Sequence, residues 1–321
     1  MATIFITRNI PESGIAQLKQ KRHKVIVSPH DRVLTQKEII LMGKGSDALL
    51  CLLTDAIDGK VMDGIGPQLK VIANYAVGFD NIDLRAAQER NIVVTNTPGV
   101  LTETVAEHTI ALLFALARRI VEADTFTRKG RYKGWAPMLF LGSDLTGKTL
   151  GIVGMGRIGA EIAKRMGGAF QMNVIYHDKV RNKEVEQELG VTYVSLNTLL
   201  KKSDVVSLHV PLLASTRHLI SAKELQTMKK TSYLINTSRG PIIDEKALVE
   251  ALKNKHIKGA ALDVFEFEPK LAPGLSKLEN IILTPHIASA TEETRGKMAD
   301  IATRNILAVL EGKTPPNAVR V

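Results

Sequence analysis

The chain has 321 residues, 45% hydrophobic and 24% charged, with 43 Lys and Arg against 33 Asp and Glu for a formal net charge of +10. A chain of this length buries roughly three quarters of the surface it exposes when unfolded, so neither disulfide nor structural metal is needed to hold it together. Plentiful, evenly spread apolar residues exclude a disordered class, and the longest purely apolar stretch, Ile110 to Ala117, falls far short of the roughly 20 residues of a membrane span.

Reading from the start, Met1 to Thr7 lacks the basic region and apolar core of an export signal, and the single Cys51 has no partner in the chain. A cytoplasmic protein is expected. Runs of Ile, Val and Leu at Thr3 to Thr7, Lys24 to Val27, Ala48 to Leu53, Val71 to Asn74 and Ile92 to Thr95 read as buried strands. Helical patterns lie between them, at Gly14 to Gln20, Thr35 to Met42, Gly59 to Ile65 and Leu84 to Arg90. Apolar strands alternating with helices are the mark of a parallel sheet covered on both faces. A long helix is predicted from Thr102 to Arg119, with Thr104 and Glu107 spaced as a capping box. Lys129 to Gly147, with Trp135, Pro137 and four glycines, reads as a crossing loop.

A second series follows, with strands at Thr149 to Val153, Asn173 to Tyr176, Val205 to His209, Ser232 to Asn236, Ala260 to Val264 and Ile281 to Leu283. A last helix, Thr291 to Glu311, has a capping-box spacing at Ser289 and Glu292. Two α/β units are therefore expected, the first ending near residue 100. The Lys and Arg residues are scattered and not interleaved with the 14 aromatics, so the basic excess reads as a solvated surface that steers small anions inward, with no nucleic-acid or membrane partner.

The sharpest motif is Gly154-Met155-Gly156-Arg157-Ile158-Gly159. A bare glycine pattern is often an ordinary turn; here a strand leads in, an amphipathic helix leads out, and the next strand ends at Asp178. The glycines admit a pyrophosphate to the helix N-terminus, and Asp178 is placed to take ribose hydroxyls and repel a 2′-phosphate. NAD is therefore favoured over NADP, although Lys179 and Arg181 follow at once. Downstream, Arg239, Glu268 and His286 each follow a predicted strand. The carboxyl ends of the strands line the ligand crevice of an open α/β sheet. A cation for an anionic carbonyl substrate, and an imidazole steadied by a carboxylate, are what hydride transfer needs beside its cofactor.

These residues carry a resemblance. Val77-Gly-Phe-Asp-Asn-Ile-Asp83, Thr104-Val-Ala-Glu107, Gly147 to Gly159, Asn236-Thr-Ser-Arg-Gly240, Asp263 to Pro269 and Thr284-Pro-His-Ile-Ala-Ser289 resemble the D-isomer-specific 2-hydroxyacid dehydrogenases over essentially the whole length. The resemblance implies two doubly wound parallel-sheet domains, a Rossmann cofactor domain (101–284) inserted in a flavodoxin-like substrate domain (1–100 and 285–321). It implies that Arg239 binds substrate, His286 is the general acid/base and Glu268 its partner, with Glu266 the neighbour most easily confused with Glu268. Substrate contacts would also come from Leu53 and the backbone of Val77 and Gly78. Cofactor contacts would come from Thr104, the glycine motif, Asp178, His209, Val210, Pro211, Thr216, Thr237, Ser238, Arg239, Asp263, His286 and Ser289, with Asp263 meeting the nicotinamide carboxamide and no metal involved. Family members are usually dimers. Trp135 to Leu141 is either part of such an interface or a loop packed on its own subunit.

Leu52-Leu-Thr-Asp55 and the Trp135 segment resemble the glyoxylate/hydroxypyruvate reductase branch. The absence of Arg or Lys from the Leu52 loop disfavours a phosphorylated substrate. A small 2-oxo acid is expected, glyoxylate or hydroxypyruvate first. D-Lactate dehydrogenase, D-3-phosphoglycerate dehydrogenase (Arg8 and Lys60 serving the phosphate) and a non-catalytic NAD-sensing scaffold are the alternatives.

Overall fold

In the computed structural model, which describes residues 1–319, the apolar runs of the first hundred residues form one five-stranded parallel sheet. In chain order the elements are β1 (Thr3–Ile6), α1 (Glu12–Gln20), β2 (Lys24–Val27), α2 (Gln36–Gly43), β3 (Ala48–Cys51), α3 (Gly59–Ile65), β4 (Val71–Asn74), α4 (Leu84–Glu89) and β5 (Val93–Thr95). The strand order β2-β1-β3-β4-β5 is the flavodoxin-like one. β3 and β4 are buried throughout, whereas β2 is a half-buried edge. Side chains placed at helix entrances set the boundaries: Thr35 and Glu38 make a reciprocal capping box on α2, and Asp58 and Asp83 cap α3 and α4.

The second unit runs from α5 (Thr102–Ala117) through α6 (Ile120–Arg128), β6 (Thr149–Val153), α7 (Arg157–Phe170), β7 (Asn173–His177), α8 (Lys183–Leu189), β8 (Thr192–Tyr193), α9 (Leu196–Lys202) and β9 (Val205–Leu208). It continues with α10 (Ala222–Thr227), β10 (Tyr233–Asn236), α11 (Glu245–Lys253), β11 (Gly259–Leu262) and β12 (Ile281–Leu283). Its seven parallel strands are ordered β12-β11-β10-β9-β6-β7-β8, a Rossmann arrangement with the topological switch between β6 and β9.

The final helix α12 (Glu292–Leu310) belongs to the first unit, which comprises Met1–Leu101 and Ala290 onward; the second is Thr102–Ser289. Against α1, Thr303 Oγ1 donates to the Gly14 carbonyl at 3.2 Å and Gln17 Nε2 donates to Asp300 at 2.8 Å. A Cβ on Gly14 would stand 2.9 Å from that of Ala299, so only a glycine lets these helices approach. Residues 285–289, assigned to the first domain from sequence, lie in the second unit, because the buried Asp263 carboxylate takes the amides of Ile287 and Ala288.

Three sequence expectations are corrected. Thr104 lies inside α5 and is no N-cap; Glu107 instead pairs with Arg165 at 3.0 Å. The cap of α12 is Thr291, whose hydroxyl accepts the Thr294 amide, and not Ser289. The helix predicted to reach Arg119 stops at Ala117. There the returning chain donates the Ser143 amide to the Ala117 carbonyl at 2.9 Å, and Arg119 turns left-handed with its guanidinium 5.0 Å from the Phe140 ring centroid. The sequence reading names neither α6, none of whose residues is buried, nor α8 to α11, nor the two-residue β8. No helix among the described residues is long and apolar enough to cross a membrane.

Candidate active site

The turn from β6 into α7 is built for an anion. Gly154 has φ of 98° and a Cβ there would stand 2.6 Å from the His209 carbonyl oxygen; on Gly159 it would meet the Gly154 carbonyl at 2.2 Å. These two glycines are sterically compelled. Gly156 is different, because nothing lies within 4 Å of its Cβ position. That open space adjoins the N-terminus of the 14-residue α7, which has no side-chain cap and no acidic residue in its first turn. The cradle fits the pyrophosphate of a dinucleotide, with Met155, Arg157 and Ile158 forming the rest of the turn.

Asp178, just past β7, lays its carboxylate against this turn: Oδ2 accepts the Met155 amide at 2.7 Å and Oδ1 the Lys179 amide at 2.6 Å. Each oxygen keeps a lone pair for a further donor. Past β9, the His209 ring packs inward beside the Ser207 hydroxyl at 2.7 Å, and burial pushes it down to about 3, so it is neutral. The loop Val210 to Thr216 closes on itself, the Thr216 hydroxyl donating to the Pro211 carbonyl at 2.7 Å. Thr237 is buried, 2.8 Å from the Thr109 hydroxyl, and Ser238 donates to Asn236 at 2.8 Å.

Arg239 follows β10 on a backbone pinned by Asn236, whose Nδ2 donates to the Arg239 carbonyl at 2.9 Å; one guanidinium nitrogen donates to the Ser238 carbonyl at 2.8 Å. Gly240 must be a glycine, since a Cβ there would stand 1.9 Å from the Phe265 carbonyl carbon. This close approach seats the Arg239 loop on the segment that carries Glu268.

His286 stands in left-handed backbone at φ 55°, a conformation that costs a non-glycine residue on the order of 1 kcal/mol. Asp263, fully buried at the end of β11, supplies the restraint. Its carbonyl accepts the His286 amide at 2.8 Å. Its carboxylate accepts the Ile287 amide at 2.9 Å, the Ala288 amide at 2.8 Å and the Thr284 hydroxyl at 2.6 Å. Burial pushes the Asp263 carboxyl up, but hydrogen bonds from His108, Thr284, Ile287 and Ala288 outweigh it and hold the group below its ordinary range. So placed, His286 Nδ1 meets Glu268 Oε2 at 3.0 Å, while Glu268 Oε1 accepts the Phe265 amide at 3.0 Å. With Nδ1–H committed to Glu268, Nε2 is the nitrogen left to exchange a proton.

The geometry separates the two glutamates that sequence could confuse. Glu266 faces away from His286: its Oε1 lies 2.6 Å from His218 Nε2, and its Oε2 accepts the Glu245 amide at 3.3 Å. Sequence reasoning missed Glu245 and His218, and also His108, whose Nε2 stands 3.3 Å from both Asp263 Oδ1 and the Thr284 hydroxyl. One histidine two turns into an apolar helix carries no motif of its own. Thr104 lies in the first turn of α5, and Ser289 closes the segment begun at Thr284.

Leu53, Val77 and Gly78 belong to the first unit, in loops after β3 and β4. The Val77 and Gly78 carbonyls are taken by Asn96 Nδ2 at 2.7 Å and Asn74 Nδ2 at 2.8 Å. Arg8, the cation held in reserve for a phosphate, is paired with Asp31 at 2.7 Å.

Residues 110–288 match the D-isomer specific 2-hydroxyacid dehydrogenase, NAD binding domain. The chain is 50% identical to a glyoxylate reductase of Korarchaeum cryptofilum, over 98% of this chain and 95% of that one. It is 51% identical to a glyoxylate reductase of Thermofilum pendens, over 98% and 94%. Among solved structures, a glyoxylate reductase from Paecilomyes thermophila superposes with a TM-score of 0.88 at 33% identity, covering 99% of this chain and 98% of that one.

Proposed function

Since the chain belongs to the D-isomer-specific 2-hydroxyacid dehydrogenases and matches their NAD binding domain, we propose that it reduces a small unphosphorylated 2-oxo acid, glyoxylate or hydroxypyruvate first, to the 2-hydroxy acid. The observation that carries the reading is the His286–Glu268 pair at 3.0 Å on a backbone held by Asp263. NADH, when bound on the glycine turn, supplies the hydride. His286 Nε2 gives the accompanying proton to the carbonyl oxygen as it becomes an alkoxide, and Glu268 steadies the imidazolium through Nδ1–H. Arg239 holds the substrate carboxylate and polarises its carbonyl. The absence of Arg or Lys from Leu52-Leu-Thr-Asp55 speaks against a phosphorylated substrate. The test is NADH oxidation at the reduced-nicotinamide band with glyoxylate, hydroxypyruvate, pyruvate and 3-phosphohydroxypyruvate. Turnover on the first two supports the reading; no oxidation with any of them favours the non-catalytic scaffold.

The protein acts as a homodimer on this reading. Trp135 is 83% exposed and Met138 75%, and Leu141 of the same segment is exposed as well. So much apolar side chain on an arm without helix or strand calls for a cover, and a second copy of the chain is the cover we assign.

A further inference from the structure

The loop after β7 holds two opposed signals. A carboxylate near the ribose repels a 2′-phosphate, and an Arg there welcomes one; Asp178 and Arg181 are three residues apart. The structure disposes of the Arg. Arg181 Nε lies 2.8 Å and 3.1 Å from the two oxygens of Glu186 on α8, and Nη2 lies 2.7 Å from Oε2, a two-point pair of fixed geometry. The guanidinium carbon also sits 6.0 Å from the centroid of the Tyr193 ring.

Glu186 is itself fastened. Its side chain is 14% exposed, and Oε1 accepts the hydroxyl of Tyr176, a β7 residue, at 2.7 Å. Hydrogen bonds from Arg181 and then Tyr176 hold its carboxyl down at about 2, so the pair stays charged throughout the range in which enzymes work. The remaining cation of the loop, Lys179, is an exposed ammonium without the planar fork that suits a phosphate.

We propose that Glu186 is a positioning residue for cofactor choice: by gripping Arg181 against α8 and Tyr193, it withholds from NADPH the guanidinium that a 2′-phosphate would bind. Selection for NADH then has two layers, repulsion by Asp178 and sequestration of Arg181. This rests on the assignment of a nicotinamide dinucleotide to the glycine turn.

Calorimetric titration of NADH and NADPH into the apoprotein tests it. Glu186→Gln keeps an acceptor for Tyr176 but loses the charge that grips Arg181. The variant should bind NADPH about tenfold more tightly than the parent, with NADH affinity within about twofold. The gain should vanish in Glu186→Gln/Arg181→Ala. Arg181→Ala alone should leave the parent's NADPH affinity unchanged, which provides a readout even if the Glu186 variant folds poorly. An unchanged NADPH affinity in a folded Glu186→Gln protein, a gain that survives removal of Arg181, or a loss of NADPH affinity in Arg181→Ala would each overturn the proposal. Failure of the parent to bind NADH would sink the cofactor assignment and this inference with it. Normal NADH binding without the NADPH gain would sink the inference alone.

Discussion

Glu245 and Glu266 exchange backbone bonds: Glu245 Oε1 accepts the Glu266 amide at 2.8 Å, and Glu266 Oε2 accepts the Glu245 amide at 3.3 Å. The exchange ties the N-terminus of α11 to the segment that ends in Glu268. Glu245 is buried, and its second oxygen has no partner among the described residues. Burial first, and the charges of Glu266 and Glu268 after it, raise its carboxyl above the ordinary 4.5.

A pH-dependent stability follows from that raised value. The protonated form of Glu245 is favoured by folding, so its contribution is full below pH 4.5 and is lost as pH rises through the higher folded value. Glu245→Gln keeps the side chain neutral at every pH. The difference in melting temperature, variant minus parent, should therefore become more positive as pH climbs from 4.5 to 8. A difference that is flat or falls over this range contradicts the protonation of Glu245.

His286→Ala removes the proton donor while leaving the glycine turn untouched. Turnover of glyoxylate should fall on the order of 10² to 10⁴-fold, with NADH affinity changed by no more than about threefold. Steady-state kinetics with a parallel NADH titration would decide; near-normal turnover removes His286 from the chemistry.

Asp263→Asn should damage stability and rate together. The amide replaces one acceptor oxygen by a donor that faces either the Ala288 amide, at the Oδ2 position, or the Ile287 amide and the Thr284 hydroxyl, at the Oδ1 position, costing about 3 kcal/mol. His286 then loses the restraint on its left-handed backbone. Chemical denaturation and kcat measured on the same preparation should both fall, and a loss of kcat at unchanged stability would assign Asp263 a direct contact with the cofactor in place of this restraint.

The glycines of the turn should separate cleanly. Gly156 has φ of −78° and open space beside it, so Gly156→Val should leave the melting temperature within about 2 °C of the parent while abolishing NADH binding. Gly159→Ala instead drives a methyl into the Gly154 carbonyl and should lower the melting temperature outright. Equal NADH affinity in Gly156→Val and the parent would move the cofactor off this turn.

Trp135→Ser should convert the dimer to a monomer, since the indole is the most exposed large apolar side chain of the arm. Light scattering after size exclusion should report half the parental mass; a parent that already runs as a monomer overturns the dimer assignment.

The apolar runs determined every strand but the two-residue β8 to within two residues, because a strand covered on both faces is apolar nearly throughout and little else in a sequence looks like that. The positions of the glycine motif, Asp178, Arg239, Glu268 and His286 after their strands were legible for a related reason: the apolar runs mark the strands, and strand ends are where a doubly wound sheet places its ligand crevice. Chain breaks decided by distant contacts were not legible. Nothing local ends α5 at Ala117; the Ser143 amide does, from 26 residues away. The caps assigned to Thr104 and Ser289 failed because a hydroxyl three residues before a Glu is a common spacing, and only the start of the folded helix tells which one is used. Whether Glu266 or Glu268 serves His286, which histidine steadies Asp263, and whether Arg181 is held or presented all depend on side-chain direction. That direction is set by the packing of loops from different strands, and no stretch of sequence contains it.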